Sequence, residues 1–238
     1  GQQTELLFSR NDSLFVTEQS LISERLVSTY SFRQDYLAID SIHDNRMYFM
    51  GFDLENNPHI ESISLTGGER EPLWDGRLFQ QLLSDDQSFR INDIEYDFHN
   101  QRAFISIYTL EGNNGFNATD IILELDLQTG TTDTLKLGEL VEFESAFAYP
   151  TYYALAFDST KNFLFYLSFW PTHSINRIDL ENNEEVQVVS DQFISSNIGQ
   201  LDIDVQDNSL YWVEGSSLKG YSVPSSLLDE KFIGETSS

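Results

Sequence analysis

Four aspartates recur in one local context. Asp40, Asp97, Asp158 and Asp204 each close an apolar-x-apolar-Asp run, in Leu37–Asp40, Ile94–Asp97, Leu155–Asp158 and Leu201–Asp204. Repeated carboxylates are material for a ring of hard-cation ligands or for paired acid and base groups. Their regularity argues for another use. A carboxylate that every repeat carries is needed to build the repeat, and Asp at a strand end caps the following turn by accepting backbone N–H groups. His43 and His99 fall in matching turns, His43-Asp44-Asn45-Arg46 and His99-Asn100-Gln101-Arg102, without the third ligand a metal triad needs.

Two other groups of residues stand out. The pairs Asp35-Tyr36, Asn92-Asp93, Tyr153-Ala154 and Gly199-Gln200 precede the four Asp runs. They are placed to rim a solvated opening where the runs converge. Asp35, Asn92, Asp93, Tyr153 and Gln200 are therefore candidate ligand contacts, and Asp35 and Asp93 carry the hard oxygens that Ca²⁺ takes; no other cofactor is indicated. The second group is the loop Phe169-Trp170-Pro171-Thr172-His173. Pro171 stiffens it, so Phe169, Trp170 and His173 are candidates to stack on a sugar or anchor a protein, although packing between repeats would use the same rings. Catalytic signatures are missing: there is no nucleophile elbow, His-Glu-x-x-His, P-loop or dinucleotide glycine pattern.

The elements that must position these groups follow from the same repeat. Each Asp run is followed by a short polar turn and a second apolar strand, at Met47–Met50, Ala103–Ser106, Phe163–Tyr166 and Leu210–Val213. Third strands are expected over Ile60–Leu65, Ile121–Leu127, Ile175–Leu180 and Leu218–Val223. Fourth strands are expected near Pro72–Trp74, Thr132–Leu137, Glu185–Val189 and Lys231–Ile233. The Asp-to-Asp spacings of 57, 61 and 46 residues hold one four-stranded antiparallel blade each. An N-terminal stretch, Leu6–Phe8, Leu14–Thr17 and Arg25–Tyr30, reads as a degenerate fifth unit. Only 7 alanines among many Phe, Tyr, Ile, Val and Thr favour strands over helices. The expected fold is an all-β β-propeller of five, or six, blades in one domain over 1–238, with units near 1–34, 35–91, 92–152, 153–198 and 199–238.

Within a unit the first-to-second and third-to-fourth connections are short. The second-to-third loops (Gly51–Pro58, Thr109–Ala118, Ser168–His173) and the inter-unit loops (Asp75–Ile91, Gly138–Tyr152, Ser190–Gly199) are long. In an up-and-down blade both long classes emerge on one side, where binding usually resides. Aromatics gather there: Phe52, Phe79, Phe89, Phe116, Phe143, Phe147, Tyr149, Tyr152, Phe169 and Trp170. Phe79 with Leu78, Leu82 and Leu83 reads as a short helix packing back onto the blades.

Composition narrows the partners. The chain of 238 residues has 13 Lys plus Arg against 39 Asp plus Glu, a formal charge of −26. Nucleic acid is excluded because phosphate binding needs a basic face, and an anionic membrane surface is disfavoured on the same ground. No apolar run is long enough to span a bilayer. Cysteine is absent, so disulfides, cysteine zinc ligands and cysteine nucleophiles are ruled out. The first residues show no signal-peptide pattern, so an exported protein would already have lost its signal.

The segment Leu201-Asp202-Ile203-Asp204-Val205-Gln206-Asp207-Asn208-Ser209-Leu210-Tyr211-Trp212-Val213-Glu214 resembles the repeat of YWTD propellers, the low-density-lipoprotein-receptor class. In that family a strand ending in Asp leads to a Tyr-Trp strand. The Tyr-Trp pair occurs here in one unit and continues Val213-Glu214 in place of Thr-Asp. The resemblance implies a propeller; together with the aromatic loops and the missing catalytic signatures it leads to the expectation of a non-enzymatic, secreted or extracytoplasmic binding module with a protein or carbohydrate partner. The alternative is a propeller hydrolase, lactonase-like with a divalent metal or glycosidase-like with carboxylates, built on Asp35, Asn92 and Asp93, with Glu95 inside an inner strand as the available glutamate.

Overall fold

A computed structural model describes residues 5–10, 13–18, 24–28, 36–43, 45–53, 55, 57–66, 70–83, 87–111, 117–138, 141–142, 152–168, 173–190, 194, 198–223 and 231–237. The chain divides into two compact units, Gly1–Leu82 with Gln128–Gly130, and Leu83–Leu127 with Thr131–Ser238.

The first unit holds a three-stranded antiparallel sheet, β1 (Glu5–Arg10), β2 (Ser13–Glu18) and β3 (Glu24–Ser28), and a four-stranded one. The latter runs β4 (Ala38–Asp40), β5 (Arg46–Phe52), β6 (Pro58–Ser64) and β7 (Glu71–Asp75) in sequence order. A helical turn, α1 (Gly76–Gln80), follows. Met47, Phe49, Ile63 and Leu65 form the apolar cluster of this sheet. Gly130 sits at φ +72°, where a side chain is strained. A Cβ there would lie 2.2 Å from the Leu73 carbonyl oxygen, so only glycine fits.

The second unit holds three sheets. The first contains β8 (Gln87–Asp97), β9 (Arg102–Glu111), β10 (Asn117–Asp126) and β11 (Thr132–Leu137), with the two-residue β12 (Val141–Glu142) added to β10. Next come β13 (Tyr152–Asp158), β14 (Phe163–Ser168), β15 (Ser174–Asp179) and β16 (Glu184–Val189). The last sheet is β17 (Ile198–Asp204), β18 (Ser209–Glu214), β19 (Ser217–Ser222) and β20 (Lys231–Ser237). The fold is all-β, and the expected strands are present in each repeat.

Two boundaries need correction. The stretch expected as an Asp75–Ile91 loop contains α1 and the first five residues of β8, and the Thr109–Ala118 loop is shortened by strand at both ends. Gln87–Ile91 alternates between half-buried or buried and exposed positions opposite Ile107–Glu111, which is the pattern of a strand with one wet face.

β14 shows what holds the second unit together. It is buried on both faces from Leu164 to Ser168. Leu164 and Tyr166 pack with Phe104 and Ile122 of the preceding sheet, and Phe165 and Leu167 pack with Leu201, Leu210, Trp212 and Tyr221 of the next. Each such side chain contributes about 1.5–3 kcal/mol on burial. That is why the second strand of each repeat reads as an unbroken apolar run.

The turns repeat one device. Asp40 Oδ1 accepts from the N–H groups of Ile42 (2.8 Å) and His43 (3.1 Å), and Asp158 Oδ1 from those of Thr160 (2.9 Å) and Lys161 (3.2 Å). Asp204 does the same with Gln206 and Asp207, and Asp97 with Asn100. A left-handed residue then ends each turn: Asn45, Gln101, Asn162 and Asn208, with φ between 47° and 58°. Their carbonyls accept from the N–H of Leu65, Leu127, Leu180 and Val223 just past the third strand, at 2.8–3.1 Å. The repeated aspartates are thus turn caps. His43 belongs to the same device, its Nδ1 lying 3.0 Å from Asp40 Oδ2.

Candidate functional site

The first strands of the three sheets of the second unit, β8, β13 and β17, lie side by side. Each carries a register irregularity at the same height above its turn: between Ile91 and Asp93, between Tyr152 and Leu155, and between Ile198 and Leu201. Such bulges bend a strand and re-aim its side chains, and they gather beside functional sites. The structure places Asn92, Tyr153 and Gln200 at these three points. They lie within the strands, whereas the sequence put them just before; each strand begins earlier because its bulge breaks the alternation that marks its start.

Asp93 follows the first bulge. Its Oδ2 accepts from the N–H of Leu155 on β13 at 2.8 Å, and its Oδ1 from the N–H of Ile94 at 2.9 Å. The carboxyl therefore clamps β8 to β13. Burial nevertheless pushes it up to about 6, because the cost of desolvating the charge exceeds what two backbone donors return. Glu95, two residues on and on the same face of β8, is pushed up to about 8, by burial first and then by repulsion from Asp93 and from Asp202 on β17. Of the two, Asp93 gives up its proton first, so it is the readier acceptor and Glu95 the readier donor.

Asp202 escaped the sequence reading, although the signal was there. In the apolar-x-apolar-Asp runs the x position is Ala38, Glu95, Ala156 and Asp202. Two of the four are acidic, and in the second unit the intervening strand β13 offers the small Ala156. Asp93 and Glu95 can accept from and donate to a hydroxyl group, with the Asp202 charge facing Glu95. Among the described residues no group of three or more His, Asp or Glu side chains is gathered closely enough to hold a metal ion.

Asp35, Phe169 and Trp170 lie outside the described residues, as do Phe116, Phe143, Phe147 and Tyr149. His173 is half-buried immediately before β15. The helix expected around Phe79 is α1, capped by Asp75, whose carboxylate accepts from the N–H of Arg77. Phe79 does turn in, its ring 6.4 Å from Trp74, but Leu78 and Leu82 face solvent. Of the expected inward packing Phe79 stands and Leu83 is half-buried, while Leu78 and Leu82 do not turn in, because so short a turn cannot bury every side.

In the described residues both long-connection classes meet on the same side of a sheet. In the first unit Arg77 of α1 reaches Asp53 in the β5–β6 loop at 3.6 Å. In the second, β12 follows β11 and pairs with Asn117 and Ala118 at the start of β10. Among the described residues no helix is long and apolar enough to cross a membrane.

No protein-family model and no curated protein sequence matches the chain. Solved structures do. A chain of a nidogen/laminin complex superposes with TM-score 0.58 at 15% identity, over 96% of this chain and 77% of that one. TolB from Acinetobacter baumannii gives 0.56 at 13%, over 95% and 49%. An oligogalacturonate lyase in complex with manganese gives 0.60 at 6%, over 94% and 59%. The chain thus spans less than two thirds of the latter two. What is shared at these identities is the fold, and it is the β-propeller architecture.

Proposed function

We propose that the chain is a non-enzymatic extracytoplasmic binding module, one propeller domain over residues 1–238 that takes a protein or carbohydrate partner on its long-loop side. The observation that carries this is the convergence of both long-connection classes, seen separately at Arg77–Asp53 and at β12–β10. The short-turn side, by contrast, spends its carboxylates on capping. The nidogen/laminin neighbour, solved in a complex, supports such a use of the scaffold. Phe169, Trp170 and His173 are the proposed anchors. Capture from a native extract with the immobilised chain tests it: Trp170→Ala lowers the captured partner at least about tenfold, as loss of an aromatic anchor does, while Asp207→Ala on the turn side leaves it unchanged. Equal capture by the two variants overturns it.

A second reading is favoured by the split between Asp93 and Glu95. Two carboxyls whose environments push their pKa values apart are the acid–base pattern of a glycosidase-like hydrolase, with Glu95 as the acid. No release of nitrophenol from a panel of nitrophenyl glycosides removes that reading.

A further inference from the structure

We propose that the α1 corner of the first unit, Leu78 and Leu82 with the rim Asp53, Glu55 and Asp75, docks a basic, apolar segment of a partner protein. The proposal rests on the binding-module reading and gives it a place and a chemistry.

Leu78 is 63% exposed and Leu82 83%. Leu78 lies in α1 and Leu82 just past its C-cap Gln81, on a turn continued by hydrogen bonds from Gln81 N to Arg77 O and from Leu82 N to Phe79 O, both 3.0 Å, so the two exposed leucines share one short turn. Phe79 takes the inward position against Trp74, leaving the two leucines outside the core. The Arg77–Asp53 bridge brings the β5–β6 loop to this turn, and Phe52, beside Asp53 in sequence, is 39% exposed. Adjacent outward leucines on so acidic a chain mark a contact surface.

The rim selects the occupant. Among the described residues Asp53, Glu55 and Asp75 share the cation Arg77, whose guanidinium is already held by Asp75 at 2.6 Å and Asp53 at 3.6 Å, with His59 further off acting on Asp75. Asn57 holds the Asp53 carboxyl below the usual range and Arg77 does so for Asp75, so both stay charged well into acid. A second copy would bring the same rim against itself and a charge of −26 against −26. An anionic membrane meets the same repulsion. A segment with leucine-like anchors flanked by Lys or Arg satisfies both the apolar centre and the acidic rim.

The probe is a short labelled amphipathic Leu/Lys peptide, titrated by fluorescence anisotropy at physiological salt. The wild-type chain binds it. The exposed-site variant Leu78→Ser with Leu82→Ser weakens binding at least tenfold, about 1.4 kcal/mol. Glu55→Lys weakens it also, and a Leu/Glu peptide does not bind. Unchanged affinity in the double leucine variant overturns the proposal, as does leucine-dependent self-association or binding to phosphatidylserine vesicles. If the peptide fails while partner capture remains sensitive to Trp170→Ala, this corner alone is wrong; if both fail, the binding-module reading falls with it.

Discussion

Asp97 and Glu95 are two residues apart on the same face of β8, and their surroundings treat them in opposite ways. Asp97 is buried with a full set of donors: the Asn100 backbone N–H (3.2 Å), the Asn100 side-chain amide (2.7 Å) and Arg102 Nε (2.9 Å). Glu95 receives no hydrogen bond among the described residues and faces two further carboxyls. Donor supply, set by the turn, thus separates a carboxylate that builds from one that is available. Arg102 carries much of that supply onward. Besides Asp97 it bonds Asn162 in the next sheet's turn and lies over the rings of Phe104 and Phe157. Arg46, its counterpart after the first-unit turn, stays within its own sheet on Ser62 and Glu71.

The largest effect is expected from Asp97→Ala. Removing this carboxylate leaves the Arg102 guanidinium, only 15% exposed, without its closest charge partner. Breaking one side of a buried pair costs about 3–5 kcal/mol, read as a drop in the urea midpoint. A loss under about 1 kcal/mol would erase the contrast between the two positions.

Glu95→Gln comes next and has a sign of its own. Because the folded carboxyl is pushed above its ordinary value, the stability it contributes is full in acid, below that ordinary value, and is lost as pH rises through about 8. Asp93, on its own strand, and Asp202, from β17, are the charges facing it. At about 1.4 kcal/mol per unit, and allowing for partial exposure, wild-type stability falls by about 2 kcal/mol between roughly pH 6 and 8.5. The variant flattens that slope in denaturation curves taken across the range. An unaltered slope would mean that Glu95 titrates as in water.

Asp204→Ala is the smallest. Its carboxylate caps an exposed turn through two backbone N–H groups and holds no guanidinium. A cost near 1 kcal/mol is expected, seen as a few degrees in the melting temperature. A cost equal to that of Asp97→Ala would shift the credit from Arg102 to the cap itself.

Much of this architecture was legible because it is written locally. The Asp-to-turn spacing, the Asn or Gln that accepts a positive φ, and the apolar second strands are short-range signals, and each repeat carries them. What stayed hidden depends on neighbours. Gln87–Ile91 looked like loop beside Asp85-Asp86, since its alternation needs β9 opposite to become a strand. Asp202 meets Glu95 only because β13 brings β8 and β17 onto a common flank. The bulges at Asn92, Tyr153 and Gln200 leave no mark in composition, so the sequence marks these residues as lying just before each inner strand, whereas pairing with the neighbouring strand places them inside it.

The order in which strands pair has a consequence for how the chain comes to be folded. In every described sheet, apart from the two-residue β12, hydrogen-bond ladders join strands adjacent in sequence. Loop closure is therefore short at each step, and contact order is low for an all-β protein. Each repeat can zip up as soon as its fourth strand leaves the ribosome, with its Asp-capped turn and left-handed residue already fixing the hairpin register, before the next repeat exists. In the second unit the apolar face of β14 is covered on one side by the preceding sheet and on the other by the next, so its burial is complete only once the following repeat has been made.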